Sequence, residues 1–383
     1  MNLDDKPKRI NQITMKFYFF LFFSILVLFT SYKGQIFPKT SNVGLPNMFL
    51  SQGDTVQKLG NNIMVIYQDS KANYWFGSWH DGIYKYDGKS IIHFTTKDGL
   101  ASNRVEEIKE DKKGNIYFNT RKGLCQFNGV RFSTWTVVLS IGTEWTLNPD
   151  DLWFKCLTHP NSVYRFDGYN LYRLQIPRTK LGEDYIQKHH NYPDPYAVYC
   201  IYKDSKENIW FGTATLGVFR FNGKSFEWIS EDDLTEFHDG PANGVRSIAE
   251  DEQGYFWFNT EYKYGIYNNK AIIKKDSENR IFYDRIENIG SLDGIRNGNL
   301  SEYLSITKDN NHELWIATYN NGVYHYDGKN IARYTVKEDN NEITLFSIYK
   351  DKAGQLWLGS HEAGAYKFNG KTFERFNIGP QNE

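Results

Sequence analysis

The amino-acid sequence predicts an all-β protein, a seven-bladed β-propeller of four-stranded antiparallel blades, preceded by an N-terminal signal peptide. Three observations predict this fold. One short motif recurs along the chain, a second motif ending in Asp-Gly or Asn-Gly follows each copy, and aromatic residues make up 17 % of 383 residues. Regularly repeated groups of short strands that carry aromatic residues and tight turns are typical of propeller blades.

The first motif is Ile-x-x-Asp, followed six residues after the Asp by Trp or Tyr. Six copies share this spacing, with Asp at positions 69, 111, 204, 251, 309 and 351, and a degenerate seventh at 153 keeps only its aromatic residue. The Asp is expected in the turn between the first two strands of a blade, where its side chain accepts hydrogen bonds from backbone N–H groups. The aromatic residues are expected to pack between blades as structural anchors: Trp75, Tyr117, Trp153, Trp210, Trp257, Trp315 and Trp357.

The second motif is an apolar-aromatic run that ends in Asp-Gly or Asn-Gly. Its copies are IYKYDG, LCQFNG, VYRFDG, VFRFNG, VYHYDG and AYKFNG, and a shortened seventh copy reads IYNNK. Asp-Gly and Asn-Gly are typical of a type I′ hairpin turn. The first unit therefore predicts strands at Ile63–Gln68, Tyr74–Ser78, Ile83–Tyr86 and Ile91–Thr95.

The repeats divide the chain into a signal peptide (1–35), a lead-in segment (36–61) and the propeller (62–377). Within the lead-in segment, residues 41–59 are expected to add a strand or cover a sheet edge. The predicted blades span approximately 62–95, 105–134, 142–175, 197–229, 245–273, 301–334 and 344–376.

The leader consists of a basic flank and a short apolar run. Residues 17–29 contain no charged residue and follow Lys16, and Met15 is an alternative start of the chain. This run of thirteen uncharged residues is shorter than the roughly 20 apolar residues that a transmembrane helix needs, and the pattern is typical of a signal peptide. A periplasmic or secreted protein is predicted, with an inner-membrane anchor at 17–29 as the alternative.

Two pairs of segments carry a family resemblance. DSKENIWFGT (204–213) with GVFRFNGKSF (217–226), and DKAGQLWLGS (351–360) with GAYKFNGKTF (364–373), resemble two-component regulator propeller repeats. That family builds periplasmic sensor propellers in Bacteroidetes-type bacteria, and the repeats are more distantly similar to those of streptogramin lyases. The resemblance implies a sensor-type seven-bladed propeller involved in signal transduction, although no kinase or DNA-binding part follows in this sequence.

Charge and cysteine content exclude several classes of function. The net charge of −1 includes +3 from residues 1–35, so the remainder carries −4. A mildly acidic body argues against a nucleic acid as partner, because phosphate binding needs a basic surface. The three cysteines, Cys125, Cys156 and Cys200, form neither a disulfide framework nor a metal motif. No cofactor, no metal and no catalytic residue is assigned.

The candidate binding site lies on the face that carries the second-to-third-strand loops and the connections between blades. Three of those connections are long and do not repeat (176–196, 230–244 and 274–300), and such loops on a rigid scaffold often bind ligands. Aromatic, amide, Arg and His side chains there suit a polar ligand. The candidate ligand-binding residues are Trp79, His80, Arg104, Arg121, His159, Arg246, Tyr262, Tyr319, Asn320, His361 and Glu362.

The function predicted from these features is a non-enzymatic, extracytoplasmic propeller that binds an oligosaccharide, a peptide or an envelope protein. It would contact the membrane only through an uncleaved leader. The alternative is a lyase or hydrolase whose His80, His159 and His361 converge with Glu362 or Glu261 at the channel mouth. A third hypothesis is a structural partner within an envelope complex.

Overall fold

Seven sheets succeed one another along the chain and form a seven-bladed β-propeller of mostly four-stranded antiparallel blades. The computed structural model describes residues 50–140, 142, 144–189, 194–229, 244–258, 263–266, 279, 281, 284–286 and 303–379. The predicted signal peptide, its alternative as a membrane anchor, Tyr262, and Glu261 of the lyase alternative lie outside the described residues. The fold class predicted from the repeats is confirmed.

The first four blades contain strands β1 to β17. In chain order these are Asp54–Val56, Ile63–Gln68, Tyr74–Ser78, Ile83–Tyr86, Ile91–Phe94, Val105–Glu110, Ile116–Thr120, Gly123–Phe127, Phe132–Thr134, Val137–Leu139, Leu152–Lys155, Ser162–Phe166, Leu171–Gln175, Val198–Lys203, Ile209–Thr213, Val218–Phe221 and Phe226–Ile229.

The last three blades and one small hairpin contain strands β18 to β31. These are Ala249–Glu250, Phe256–Trp257, Lys263–Gly265, Asp284–Ile286, Tyr303–Lys308, Leu314–Thr318, Val323–Tyr326, Ile331–Tyr334, Lys337–Glu338, Asn341–Glu342, Leu345–Lys350, Leu356–Ser360, Ala365–Phe368 and Phe373–Arg375. The hairpin is β26–β27, between blades 6 and 7.

The four strands predicted for blade 1 agree with β2 to β5, except that β5 ends at Phe94 instead of Thr95. Thr95 instead caps a short 3-10 turn, because its hydroxyl accepts a hydrogen bond from the backbone N–H of Lys97 at 3.2 Å. The lead-in segment adds a fifth strand, β1, antiparallel to the outer edge of blade 1. An added strand covers an edge whose backbone groups would otherwise be unpaired.

Each motif Asp organises the turn between the first two strands of its blade. In blade 1, Asp69 Oδ1 accepts hydrogen bonds from the backbone N–H groups of Lys71 and Asn73, at 2.9 and 2.8 Å. Asp69 Oδ2 accepts one from Trp75 Nε1 at 2.8 Å. The other motif Trp residues bond their own Asp at 2.7 to 3.2 Å, and the Tyr117 hydroxyl does so at 3.0 Å. The six-residue spacing therefore reflects a hydrogen bond as well as packing.

The turns between the third and fourth strands differ from the type I′ turn that the sequence predicts. In blade 1, four residues separate the paired Tyr86 and Ile91, and only Gly88 has a positive φ, of 94°. The Asp87 side chain accepts hydrogen bonds from the N–H groups of Lys89 and Ser90, at 2.9 and 2.8 Å. This turn is therefore held by the Asp87 side chain, and it needs one residue with a positive φ instead of the two that a type I′ turn requires.

Seven hydrophobic clusters fill the interfaces between blades, and each contains one aromatic anchor. Trp75 of blade 1, for example, packs with Val105 and Phe118 of blade 2, and its exposed fraction is 2 %. The same arrangement recurs from blade to blade: each anchor is buried against the following blade. Trp357 of blade 7 packs against Ile63 and Phe76 of blade 1, and this contact closes the ring.

Polar contacts support the same closure. The Tyr74 hydroxyl of blade 1 donates to Asp351 Oδ2 of blade 7 at 2.6 Å, and the N–H of Gly364 donates to the Asn61 carbonyl at 2.7 Å. The four strands of blade 7 are consecutive in the chain. Among the described residues the ring therefore closes by packing between complete blades, without a shared blade.

Blade 3 departs from the four-strand unit expected for residues 142–175. Its sheet has the order β10-β13-β12-β11, with β10 parallel to β13 on the outer side. The strand β11 carries Trp153, so it corresponds to the second strand of the other blades, and no inner strand precedes it among the described residues. This is the unit whose sequence lacks the Ile-x-x-Asp portion of the motif.

Side chains of blade 2 occupy the open inner edge of β11. Glu107 Oε2 accepts a hydrogen bond from the backbone N–H of Lys155 at 2.9 Å. Asn119 Nδ2 donates to the Lys155 carbonyl at 2.8 Å, and Lys109 Nζ donates to the Trp153 carbonyl. These contacts satisfy backbone groups that would otherwise be buried without partners.

Blade 5 differs in its outer strand, which lies at Asp284–Ile286, beyond the expected end at residue 273. The shortened motif IYNNK lacks the Gly that follows Asp or Asn in the other copies, so it does not specify their tight turn. Part of the intervening chain reaches blade 4, because the N–H of Ile281 donates to the Trp228 carbonyl at 2.8 Å. The insertion expected after blade 5 thus begins within that blade.

The connection 176–196 after blade 3 contains the helix α1, Lys180–Lys188. Thr179 caps it, because its hydroxyl accepts a hydrogen bond from the Gly182 N–H at 3.2 Å. Leu181 and Ile186 pack on the cluster between blades 3 and 4. In the part of the chain that the structure describes, no helix is both long enough and apolar enough to span a bilayer.

We expect the Asp351→Ala variant to lose about 2–5 kcal/mol of unfolding free energy. The substitution leaves Trp357 Nε1 and two backbone N–H groups without their acceptor in a buried turn. Chemical denaturation followed by Trp fluorescence measures the loss. Asp327→Ala is the matched control, because Asp327 accepts two N–H bonds in an exposed turn. Equal effects of the two substitutions would contradict the structural role of the Trp contact.

Stability should also fall in acid through Asp351. Burial alone would raise the pKa of this carboxyl, but hydrogen bonds from Tyr74, Trp357 and two backbone N–H groups outweigh burial and hold the pKa below its ordinary value. The contribution is therefore present above the unfolded-state pKa of about 3.9 and is lost as the pH falls through the lower folded-state pKa. Melting temperature against pH should fall less steeply in Asp351→Asn than in the wild type, whereas Asp54→Asn, at an exposed position, should follow the wild type.

The Glu107→Ala variant tests the capping of blade 3. It removes the acceptor of the Lys155 N–H and of Asn119 Nδ2, so we expect a loss of about 1–3 kcal/mol in urea denaturation. Ser347→Ala is the control, because Ser347 has the same position in the inner strand of blade 7 and its hydroxyl has no hydrogen-bond partner among the described residues. If Glu107→Ala is as stable as Ser347→Ala, the open edge does not depend on this cap.

Candidate functional site

In five of the seven blades, a β-bulge in the inner strand presents one residue to the channel. In β2, β6, β14, β22 and β28, the pairing with the next strand skips the second residue of the inner strand. A bulge leaves its extra residue unpaired and re-aims the side chain. These residues line one cavity of about 850 Å³, together with the corresponding residue of blade 5. The six residues are Met64, Glu106, Tyr199, Arg246, Leu304 and Phe346.

Six of the candidate ligand-binding residues line this cavity. They come from blades 1, 2, 5 and 6, so residues distant in sequence meet at one end of the channel. The six are Trp79, Arg104, Arg121, Arg246, Tyr319 and Asn320.

The other described candidates lie outside the lining. His159 contacts Arg173 of the outer strand β13, whose Nη1 lies 2.7 Å from His159 Nε2. His80 contacts the edge of the Trp79 ring, and His361 contacts the edge of the Phe346 ring. Glu362 is exposed and pairs with His361 at 3.3 Å.

The Trp79 ring is already engaged. The Arg104 guanidinium lies over it, 3.4 Å from the ring centroid, and Phe346 stacks at 5.8 Å with an interplanar angle of 13°. Arg104 Nε also donates to Glu106 Oε1 at 2.7 Å. Trp79 therefore holds Arg104 in place instead of offering an unoccupied face to a ligand.

Blade 3 contributes Lys155 to the lining, beside the open edge of β11. Burial alone would lower the pKa of Lys155, but the carboxylates of Glu107 and Glu106 outweigh burial and raise that pKa. Lys155 Nζ lies 3.4 Å from Glu106 Oε2. The ammonium therefore stays charged, and Glu106 is shared between Lys155 and Arg104.

Two further cations complete the lining. The Arg246 guanidinium lies 4.3 Å from the centroid of the Tyr199 ring, an attraction between a cation and the face of an aromatic ring. Arg121 is exposed at the rim. Among the described residues neither guanidinium forms an ion pair with a carboxylate.

Tyr319 and Asn320 provide the neutral polar groups. Tyr319 is 38 % exposed, although it lines the cavity. Asn320 Oδ1 accepts a hydrogen bond from the Thr344 hydroxyl at 2.9 Å, which leaves the amide nitrogen as a donor. An aromatic ring beside an amide suits a hydroxylated ligand.

The convergent histidine site of the lyase alternative is not formed by the described side chains. Within the described part of the chain, one group of three potential metal ligands lies within 4.8 Å, and it consists of Asp309, Glu313 and His325. This group lies in blade 6, and none of its three residues lines the cavity. Asp309 already accepts hydrogen bonds from Trp315 Nε1 and two backbone N–H groups, and His325 pairs with Glu313 at 2.6 Å.

Sequence reasoning missed most of the bulge residues. Each one stands two positions before the repeated Ile of the first motif, and its identity differs in every copy. A position that varies inside an otherwise repeating unit was the available signal. Lys155 had no comparable signal, because it depends on the missing inner strand of blade 3.

The family model "Two component regulator propeller" matches three segments of the chain, residues 191–215, 239–262 and 337–362. The third segment includes the bulge and the Asp motif of blade 7. No curated protein matches the chain.

Solved propeller structures share the fold. The extracellular domain of the hybrid two component system BT4673 from B. thetaiotaomicron matches with 21 % identity and a TM-score of 0.53, over 85 % of this chain and 40 % of that one. This chain thus spans less than half of that protein. Virginiamycin B lyase from Staphylococcus aureus matches with 14 % identity and a TM-score of 0.53, over 82 % and 97 % of the two chains. At these identities the likeness is one of fold. The three matched segments are similar to two-component regulator propeller repeats, which is the resemblance that the sequence indicates.

Proposed function

We propose that this protein is an extracytoplasmic, non-enzymatic propeller that binds a polar ligand at one end of its central channel. One observation carries the proposal. The repeated scaffold presents six different side chains at a single structural position, and all six line one cavity. A scaffold position that served only packing would carry similar residues in every blade, as the anchor position does.

The chemistry of the cavity supports ligand binding. Its volume of about 850 Å³ lies within the usual range for small-molecule sites. Its wall contains aromatic and aliphatic side chains together with guanidinium, ammonium and amide groups. Such a wall combines apolar contact area with a few directional donors, which is how binding sites orient ligands.

Export across the inner membrane follows from the leader in this proposal. The basic flank and the short apolar run at 17–29 fit a signal peptide. The match to an extracellular sensor domain supports the same compartment. The protein would act in the periplasm or after secretion.

The proposed biological role is signal transduction in response to the bound ligand. The repeats are of the type that the family model describes for two-component regulators. An oligosaccharide, a peptide or an envelope protein partner would be recognised at the channel mouth, and a membrane-bound partner would relay the signal.

Tyr319→Ala tests the site directly. We expect calorimetric titration with a panel of oligosaccharides and peptides to identify a ligand of the wild type, and this substitution to weaken its binding about tenfold, because stacking area is lost. Tyr169→Ala is the matched control. Tyr169 is 79 % exposed in a turn on the opposite face, so its loss should leave binding unchanged.

Three results would contradict the proposal. Equal weakening by Tyr169→Ala would place the ligand elsewhere, and the absence of binding to every panel member would argue against a ligand at this site. Conversion of the ligand into products, seen by chromatography after incubation, would overturn the non-enzymatic assignment.

A further inference from the structure

The lining of the cavity is cationic, although the whole chain carries a net charge of −1. Among the residues that the structure describes, four basic side chains and one acidic side chain face the same space. These five residues come from blades 2, 3 and 5, so the fold brings together basic residues that are far apart in the sequence. They are Arg104, Arg121, Lys155, Arg246 and Glu106.

Glu106, the carboxylate among the described lining residues, contacts two of these cations. Glu106 accepts from Arg104, with Arg104 Nη2 at 2.5 Å, and lies 3.4 Å from Lys155 Nζ. The raised pKa of Lys155 keeps its ammonium charged. The charges of Arg121 and Arg246 therefore remain without a carboxylate partner among the described residues, at opposite parts of the ring.

We propose that the ligand of this cavity is an acidic oligosaccharide, a hydroxylated chain that carries carboxylate or sulfate groups. This inference rests on the proposed function and narrows its ligand class. A guanidinium binds a planar carboxylate or a sulfate through two parallel hydrogen bonds. Arg246 is suited to this role, because its contact with the Tyr199 ring orients the guanidinium without using its donors in an ion pair.

The neutral groups favour a saccharide over an acidic peptide. Peptides often bind by adding a strand to an unpaired sheet edge. The inner edge of β11 is the strand edge that blade 3 leaves open toward the channel, and Glu107, Asn119 and Lys109 already occupy its backbone groups. Tyr319, which lines the cavity and is partly exposed, and the Asn320 amide instead offer a stacking surface and a donor for hydroxyl groups.

The experiment compares four probes on the full-length chain by calorimetric titration. The probes are a galacturonic-acid oligomer, a sulfated disaccharide, a neutral cello-oligosaccharide and a peptide rich in Asp and Glu. We expect an acidic saccharide to bind, with an affinity that falls as salt is raised because charged contacts are screened. The carboxylated and sulfated probes distinguish the two sources of negative charge.

Variants at the two unpaired cations test the mechanism. Arg121→Gln and Arg246→Gln should each weaken the acidic saccharide about tenfold, the usual effect of losing a hydrogen bond between charged groups. Arg131→Gln is the control, since Arg131 lies in an exposed turn on the opposite face. Circular dichroism of each variant confirms that the fold is retained.

The outcomes separate this inference from the broader proposal. If the neutral saccharide binds as well as the acidic ones, and the two Arg variants bind it normally, the anionic class is wrong and the binding function stands. Preference for the acidic peptide likewise overturns the saccharide class. If no probe binds even at low salt, both the inference and the proposed ligand site fail.

Discussion

The hydrogen-bonded contact between a turn Asp and a strand aromatic residue is the interaction on which the propeller depends. In each complete blade, one carboxylate oxygen closes the turn between the first two strands, and the other fixes the Trp or Tyr six residues later. The same aromatic ring is the anchor that fills the interface with the next blade. One carboxylate therefore couples the local turn to the packing between blades. The aromatic anchor of each blade packs against the next blade. The anchor of the last blade packs against the first blade in the same way, and this contact closes the ring.

Because the anchors and the turn Asp residues hold the blades together, one position of the inner strand is free to vary. In blades 1 and 2, the Ile of the motif and the apolar residue at the start of the strand are buried, while the bulge between them re-aims one side chain toward the channel. Because the bulged residue pairs with no neighbouring strand, its identity has little effect on the blade itself. The ring can consequently hold Arg, Glu, Tyr, Leu, Met and Phe at equivalent positions. A repeated scaffold with one variable position per repeat is a physical route to an asymmetric binding wall.

The irregular sequence of blade 3 affects both the fold and the cavity. Loss of the Ile-x-x-Asp portion removes the inner strand, and side chains from blade 2 take over the open backbone groups. The absence of that strand also brings Lys155 into the cavity wall, where two glutamates sustain its charge. The side chains of blade 2 therefore stabilise the irregular blade 3, and the missing strand adds Lys155 to the positive charge of the channel. Glu107 contributes to both effects, because it accepts a hydrogen bond at the strand edge and raises the pKa of the Lys155 ammonium.

The sequence by itself determined the fold class, the seven units, the anchors and nearly all strand bounds of blade 1, because these follow from local spacing and from patterns that recur. It also placed six candidate residues that line the cavity, since loops at one end of a propeller must converge. Only the tertiary structure decided what depends on contacts between blades. The engaged ring of Trp79, the bulge residues, and the position of the histidines outside the lining all arise from neighbours far apart in the chain. In the sequence, degenerate motifs are the only sign of the displaced outer strand of blade 5 and of the missing inner strand of blade 3. The sequence shows where a repeat weakens, but it does not show which strand or side chain takes its place.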